Sequence, residues 1–356
     1  MADTIGEVLE AFARGELVVV TDDDDREGEG DLIVAASLCT PEKMAFIIRH
    51  TSGIVCAPIT GEEARRLRLD PMVAHNDSAH TTAFTVSIDY KPDGGTGISA
   101  EERASCCRAL ANPNVGADDF ARPGHVFPLI AREGGVLFRS GHTEAAVDLC
   151  RLSGLPPVGV ISELMNDDGT VMKGEQVARF ASANKLKHVT IADLIAYRQA
   201  REKLIERVST FTMESPIGPL QGYAYRSPFD EITHAAFVYN GIGDGKKVLT
   251  RLHKPNIMKD LFTGSVRMQA VLEHFRKAGR GVLVYLRDGA AGVPVEPVGK
   301  SAEADRHTQW REVGVGAQIL RDLGVTSIVN LTSSVHDYKG LSGFGIEIVA
   351  NERLEV

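Results

Sequence analysis

The sequence predicts an α+β fold, a mixed β-sheet with helices packed on it, followed by a second α/β domain. Three observations support this. The chain has 356 residues, more than one hydrophobic core usually holds, so we expect two domains. Short runs rich in Val, Ile and Leu, typical of buried strands, alternate with amphipathic segments typical of helices. The pattern changes from Phe211, so we place the boundary near residue 205, giving domains 1–205 and 206–356.

The elements of the first domain follow from local signals. Pro41 favours a helix start, because proline is preferred in the first helical turn, and this helix should run to His50. Ser99 can cap a helix that reaches Ala111, with two glutamates in its first turn. The other predicted elements are helices over 5–14 and 191–207 and strands over 17–20, 32–36, 53–58 and 81–88.

The second domain begins with a different pattern. Apolar segments over 233–239 and 247–252 flank the glycine-rich turn 241–245, which predicts a β-hairpin. The remaining predicted elements are helices over 264–277 and 315–323 and strands over 282–286 and 327–331.

The composition is that of an ordinary soluble globular protein, with 43% hydrophobic and 24% charged residues. The formal net charge of −9 gives no support for a nucleic-acid or membrane partner, and a small anionic substrate would need a local basic cluster or a metal. No apolar stretch is long enough to span a membrane, and no signal peptide is evident. The five cysteines show no C-x-x-C spacing, so we expect no disulfides and a cytoplasmic location.

The most informative segment is the run from Asp22 to Asp31, with seven carboxylates and one arginine. Acidic runs are usually solvated tails or linkers. Here apolar segments on both sides indicate buried strands, so the run is expected to be a loop that the fold holds in place. Crowded carboxylates repel one another, and a hard divalent cation such as Mg²⁺, Mn²⁺ or Ca²⁺ relieves that repulsion. Arg26 suits a phosphate or a carboxylate.

Three further segments could carry chemistry, and each also has a structural explanation. His125 follows Pro and Gly, which fix a turn, but it could simply bond to a backbone carbonyl. Gly141 precedes a predicted helix, so a phosphate could bind at that helix N-terminus beside Arg139, although a capped structural helix fits equally well. Glu163 ends an apolar run and is either a general base or an ordinary loop acid.

The combination of these segments with residues 82–89 and 95–99 resembles the 3,4-dihydroxy-2-butanone 4-phosphate synthase family over residues 3–203. This family converts ribulose 5-phosphate to L-3,4-dihydroxy-2-butanone 4-phosphate and formate in riboflavin biosynthesis. The family's loop usually has a glutamate where this chain has Asp24 and a larger polar residue where it has Gly28.

The resemblance implies roles for particular residues of this chain. Glu27 and His142 would bind Mg²⁺ or Mn²⁺, and His125 and Glu163 would be needed for catalysis. A homodimer with sites near the subunit interface is also implied. The residues implied to contact the substrate are Arg26, Glu27, Asp31, Arg139, Gly141, Thr143 and Glu163. Cys56 and Thr96 match positions near the family's site, and the resemblance is weaker there.

Residues 208–356 resemble GTP cyclohydrolase II, through segments such as 215–218, 249–253, 281–287 and 313–320. That family binds zinc through three cysteines, where this chain has Asn256, Arg267 and Gln269. An amide is a poor substitute for a thiolate, and a guanidinium cannot bind zinc. We therefore expect no zinc in this domain and no opening of the GTP ring. The alternatives are a fully bifunctional enzyme, or a non-catalytic protein that binds a sugar phosphate and a partner.

Overall fold

The computed structural model describes residues 3–22, 28–78, 82–203, 205–226, 232–253, 264–287, 314–332 and 346–354. The chain divides into two compact units, Met1–Tyr197 and Arg198–Val356. Each unit contains a seven-stranded mixed sheet, so the predicted fold class is confirmed. Within the described ranges, no helix has the length and apolar character that crossing a membrane would need.

The sheet of the first unit has the strand order β4-β5-β3-β6-β2-β1-β7. The β1–β7 and β3–β5 pairs are parallel, and the other neighbours are antiparallel. Its strands are β1 Val18–Thr21, β2 Gly30–Ala35, β3 Cys56–Ile59, β4 Ile88–Tyr90, β5 Phe120–Ile130, β6 Gly159–Glu163 and β7 Lys187–Thr190. Its helices are α1 Ile5–Ala13, α2 Pro41–His50, α3 Gly61–Arg66, α4 Ala100–Leu110, α5 His142–Leu152, α6 Glu175–Ala183 and α7 Ile191–Arg201.

Capping residues explain where the predicted helices begin. Thr4 and Ser99 each form a capping box with a glutamate three residues later. Thr40 caps α2 through its side chain, and Pro41 occupies the first turn. The helices predicted over 5–14, 41–50 and 99–111 are therefore confirmed to within a residue or two.

The two faces of the first sheet are covered by different helices. Leu32 and Val34 of β2 lie in a buried core with residues of α2 and α4. The intervening Ile33 faces the other way, as alternation along a strand requires, and α5 packs against β2, β3 and β6. A Cβ atom on Gly159 would lie 2.8 Å from the Cβ of Ala146, so the absent side chain lets α5 approach β6 closely. This approach places the N-terminus of α5 above the ends of β2 and β6.

The second unit has a sheet with the strand order β14-β13-β11-β12-β10-β9-β8. The four strands from β14 to β12 are mutually parallel, and the rest pair antiparallel. The strands are β8 Glu206–Ser215, β9 Gly218–Arg226, β10 Thr233–Tyr239, β11 Val248–His253, β12 Gly281–Tyr285, β13 Ser327–Thr332 and β14 Glu347–Arg353. The described helices are α8 Gly264–Ala278 and α9, which spans 314–322.

The predicted hairpin between β10 and β11 is wrong. β10 pairs with β9 and β12, whereas β11 lies between β12 and β13 in parallel register. Five of the six residues of β11 are buried, as expected of a central parallel strand covered on both faces. The glycines at 241–245 do form a turn, but a turn signal alone does not determine which strands pair.

Two other predicted elements are wrong in their extent. The helix predicted over 191–207 ends at Arg201, because Glu206 already begins β8, whose pairing with β9 overrides the helical propensity of the charged residues. In the predicted strand 81–88, Phe84 and Thr85 form isolated bridges, and β4 starts at Ile88.

His234 on β10 is a buried histidine, 4% exposed, and its two ring nitrogens have no hydrogen-bond partner among the described residues. Burial and then the positive charge of Arg287 lower the pKa of His234 to about 4. The unfolded chain therefore binds a proton more readily than the folded chain. The stability contributed by neutral His234 is present above pH 6.5 and is lost as the pH falls from about 6.5 towards about 4.

We predict that replacing His234 by leucine reduces the acid sensitivity of the second unit, with an upper bound of about 3 kcal/mol in the free energy of unfolding between pH 7 and pH 4. Urea unfolding of the full chain and the His234→Leu variant at several pH values measures the effect. Equal pH slopes for the two proteins would contradict the assignment.

Candidate active site

A cavity of about 150 Å³ lies where β2, β3 and β6 meet the N-terminus of α5. Its lining brings together residues that the sequence separates by more than a hundred positions. Six of the predicted site residues line it: Asp31, Cys56, Arg139, His142, Thr143 and Glu163. The structure therefore assembles most of the described part of the predicted site in one place.

Two carboxylates stand opposite each other in this cavity. Asp31 of β2 and Glu163 of β6 are register partners in an antiparallel pair, so their side chains leave the same face of the sheet. Asp31 is 2% exposed, whereas Glu163 is exposed to solvent at the end of its strand. The difference in exposure suits Asp31 for holding a group in place and Glu163 for exchanging protons.

His142 begins α5 and is buried. Its Nε2 atom lies 3.2 Å from the carbonyl oxygen of Val20, and its Nδ1 atom lies 3.5 Å from Oδ1 of Asp31. A carbonyl oxygen can only accept, so Nε2 carries the proton, and a neutral ring then has its lone pair on Nδ1. A backbone carbonyl that orients the other ring nitrogen is the usual support for a histidine metal ligand.

A cation at Nδ1 of His142 would need further ligands. Among the described residues, no group of three or more His, Cys, Asp or Glu side chains is close enough to hold a metal ion. Two site residues predicted from the acidic run, Arg26 and Glu27, lie outside the described residues. The ends of the run are close together, because the N–H of Asp22 donates to the Glu29 carbonyl (3.2 Å) and the N–H of Glu29 donates to Oδ1 of Asp22 (2.9 Å).

Arg139 and Thr143 supply the groups expected of a phosphate site. Nη1 of Arg139 donates to Oε2 of Glu144 at 2.7 Å, and Nη2 donates to Oγ1 of Thr82 at 2.9 Å. Gly141 is the N-cap of α5 and makes no side-chain cap, and Thr143 lies in the first turn of this eleven-residue helix. Backbone N–H groups at a helix N-terminus lack intrahelical acceptors and favour anions.

Cys56 lies beside the two carboxylates and is buried. Burial, and then the negative charges of Asp31 and Glu163, raise the pKa of the Cys56 thiol well above its usual range. The thiol therefore stays protonated at neutral pH and is not a nucleophile. All five cysteines are free and buried, as the sequence predicts for a chain without disulfides.

His125 and Thr96 are not part of the cavity lining. His125 of β5 is held by Asp89, through its Nδ1 atom to Oδ2 at 2.8 Å and its backbone N–H to Oδ1 at 2.8 Å. The ring is 43% exposed at the side chain. Gly97, the neighbour of the exposed Thr96, lies against the same Asp89 carboxylate. We call His125, its partner Asp89 and Thr96, which precedes Gly97 in the chain, the His125 group.

Three residues that organise these groups had no role predicted from the sequence: Thr82, Asp89 and Glu144. Thr82 and Asp89 lie in the segment 82–89, which contributed only to the family resemblance. One feature of the sequence could have indicated a role for Glu144: it is an acid in the first turn of a predicted helix, followed by the small residues Ala145 and Ala146. Small residues allow close packing, which buries the acid and requires a partner for it.

At the positions of the family's zinc cysteines in the second unit, Gln269 lies exposed on α8, and Asn256 is outside the described residues. The side chain of Arg267 is likewise outside the described part of the chain. His253 is stacked on Tyr285, with ring centroids 5.4 Å apart.

The first unit thus carries paired carboxylates, an oriented histidine and an arginine beside a helix N-terminus. These features are typical of an enzyme site for a small anionic substrate. Residues 6–197 match the family model of 3,4-dihydroxy-2-butanone 4-phosphate synthase, and residues 206–353 match that of GTP cyclohydrolase II. The chain belongs to the 3,4-dihydroxy-2-butanone 4-phosphate synthase family, with a GTP cyclohydrolase II family domain fused behind it.

Two relatives from Arabidopsis thaliana carry different names. One is a bifunctional riboflavin biosynthesis protein, RIBA 1, chloroplastic, which is 44% identical over 97% of this chain and 68% of its own length. The other is a monofunctional riboflavin biosynthesis protein, RIBA 2, chloroplastic, which is 43% identical over 97% of this chain and 75% of its own length.

Two solved structures are also similar. RibBX, a two-domain 3,4-dihydroxy-2-butanone 4-phosphate synthase from A. baumannii, has a TM-score of 0.82 and 36% identity, covering 97% of this chain and 99% of its own. A 3,4-dihydroxy-2-butanone 4-phosphate synthase in complex with two magnesium ions has a TM-score of 0.55 and 48% identity, covering 56% of this chain and 98% of its own.

Proposed function

We propose that the first unit converts D-ribulose 5-phosphate to L-3,4-dihydroxy-2-butanone 4-phosphate and formate with the aid of Mg²⁺. The observation that supports this most directly is the convergence of Asp31, Arg139, His142 and Glu163 on one cavity. This set combines an acid–base pair, a cation ligand and a phosphate-binding group, which are the parts that enolisation of a phosphorylated ketose requires.

His142 offers a ring nitrogen of a kind that a divalent cation accepts, and the acidic run would have to supply the further ligands, since the described residues alone form no group of three donors. His142 directs a ring nitrogen towards Asp31, and the exposed Glu163 is opposite Asp31 on the same sheet face. When bound, Mg²⁺ or Mn²⁺ would chelate substrate oxygens and stabilise the negative charge of an enediolate. We propose His142 as a ligand of this cation and Glu27 of the acidic run as another.

Residues of the chain would bind the substrate and transfer its protons. Arg139 and the backbone N–H groups around Thr143 would hold the phosphate and fix the substrate's position. Asp31, which is buried, would bind a sugar hydroxyl, and Cys56 would contact the substrate as a neutral thiol. Glu163 would remove and return protons, because it ends its strand at the solvent-exposed side of the cavity.

We also propose that two copies of the chain form the complete site. His125 and Thr96 are expected near the substrate but lie outside the cavity lining of their own chain. Apolar residues stand exposed beside both groups, including Ile54 at the cavity (52% exposed) and Ile98 next to Gly97 (53% exposed). A homodimer that buries these residues would bring the His125 group of one chain to the cavity of the other.

For the second unit we propose a domain without GTP cyclohydrolase II activity and without bound zinc. Asn256, Arg267 and Gln269 stand where the family has thiolates, and none of them can replace a thiolate as a zinc ligand. The named relatives include both a bifunctional and a monofunctional protein, so family membership alone leaves room for loss of one activity. Full bifunctionality is the competing proposal.

We further propose functional domains over 1–205 and 206–356. We also propose a cytoplasmic location, since all five cysteines are free thiols. The net charge of −9 supports neither a nucleic-acid nor a membrane partner. A non-catalytic sugar-phosphate-binding protein is the other alternative, and the assay below separates it from the synthase.

The first prediction concerns Glu163. The purified protein with ribulose 5-phosphate and Mg²⁺ should release formate, and EDTA should abolish the release. Glu163→Gln removes the proposed base without changing its size, so formation of formate should fall by about 10²–10⁴-fold. Glu175→Gln, at an exposed position of α6, serves as the control and should keep full activity. No formate from the folded, Mg²⁺-loaded protein would favour the binding-protein alternative.

The second prediction concerns His142. His142→Ala should raise the Mg²⁺ concentration needed for half-maximal activity by roughly 10-fold or more, because a cation ligand is lost. His75→Ala, at an exposed loop position, should leave that concentration unchanged. A Mg²⁺ response equal to that of the unmodified protein would show that His142 is not a ligand.

The third prediction concerns the second unit. The purified protein should contain no stoichiometric zinc by elemental analysis and should not release formate from GTP, with or without added Zn²⁺. Zinc-dependent turnover of GTP would establish the bifunctional alternative.

A further inference from the structure

A buried ion pair lies behind the proposed phosphate site. Arg139 and Glu144 are joined at 2.7 Å, with side chains 14% and 1% exposed. Arg139 lines the cavity, whereas Glu144 is not among the lining residues. The carboxylate thus stands behind the guanidinium, on the side away from a bound substrate.

Both oxygens of the Glu144 carboxylate are used. Oε2 accepts from Nη1 of Arg139, and Oε1 accepts from the backbone N–H of Arg132 at 2.9 Å. The second bond ties the carboxylate to the segment that follows β5, while the helix backbone holds its other end. Glu144 is therefore fixed from two directions and gives Arg139 a rigid support.

Thr82 supports the other side of the guanidinium, since its Oγ1 accepts from Nη2 of Arg139 at 2.9 Å. Two bonds to different terminal nitrogens determine the plane of the group. Gly141 leaves room for this arrangement, because a Cβ atom there would collide with Nη1 of Arg139 and lie 2.9 Å from Oε2 of Glu144. Recognition of a phosphate by arginine depends on the orientation of this planar fork.

We propose that Glu144 is a positioning residue for Arg139, setting the guanidinium plane so that it binds the substrate phosphate. This inference rests on the proposed function of the cavity. The negative charge of Glu144 also weakens the attraction of Arg139 for an anion. Orientation outweighs that loss, because an arginine side chain without its support has several rotatable bonds to order at each binding event.

Asp148 supplies a matched control on the same helix. It is also 1% exposed, and its Oδ2 accepts from a backbone N–H, that of Val136, at 2.8 Å. Asp148 does not line the cavity. Asp148→Asn therefore measures the structural cost of neutralising a buried carboxylate on α5, and Glu144→Gln measures that cost together with the effect on Arg139.

The experiment compares kcat and KM for ribulose 5-phosphate, and the inhibition constant of inorganic phosphate, in the full chain and its variants. Glu144→Gln should raise KM and the inhibition constant on the order of 10-fold each, while kcat changes by less than about 3-fold, as expected for a group that supports uniform binding. Asp148→Asn should leave both within about 2-fold. In an Arg139→Lys background, Glu144→Gln should add little, since the effect acts through the guanidinium.

Three results would overturn the proposal: equal effects of Glu144→Gln and Asp148→Asn, tighter phosphate binding by Glu144→Gln, or an undiminished effect in the Arg139→Lys background. If Glu144→Gln does not fold, Thr82→Val removes the second support of Arg139. Thr82 also lines the cavity, so the comparison is repeated in the Arg139→Lys background. An unchanged KM, or an equal rise in that background, would count against the proposal. If the unmodified protein makes no formate, the proposed function fails by itself. Calorimetry with inorganic phosphate then still compares the variants and tests the positioning separately.

Discussion

The arrangement of the site depends on the close approach of α5 to the β2–β6 pair. Gly159 permits this approach, and a side chain there would collide with Ala146 of the helix. The contact sets the height of the helix N-terminus above the sheet, and hence the distance between the proposed phosphate site at the end of α5 and the carboxylates of Asp31 and Glu163. Functional groups on rigid elements are placed more precisely than groups on loops, and here a strand pair and a helix supply most of the proposed site residues.

The charges that line the cavity differ from the net charge of the whole chain. The net charge of −9 would repel a phosphorylated sugar, yet the cavity combines Arg139 and a helix N-terminus with the two acids. The proposed substrate carries a phosphate and exchangeable protons, and the lining provides both a basic group and acidic groups. The buried members of this set, such as Asp31, interact more strongly with charges than they would in water.

The sequence was most informative where local chemistry determines structure. Pro41, the Ser99 cap and the amphipathic pattern over 5–14 predicted three helices closely. It was least informative where pairing between distant segments decides, as for β11, whose parallel neighbours lie far along the chain. The same division holds for the site. Motifs predicted Arg139, His142 and Glu163, while Glu144 and Asp89 became visible only when the contacts of their carboxylates were known, because their roles depend on partners that no local pattern specifies.

The burial of all five cysteines has a consequence for the chemical robustness of the protein. Oxidants and electrophiles attack the thiolate, and burial raises the pKa of Cys39 and Cys150 to about 12 and raises those of Cys56 and Cys107 well above their usual range. Even the thiol beside the proposed substrate is therefore kept in its unreactive form. Peroxide should therefore react slowly with these four thiols, compared with the thiolate of an enzyme that depends on a cysteine nucleophile.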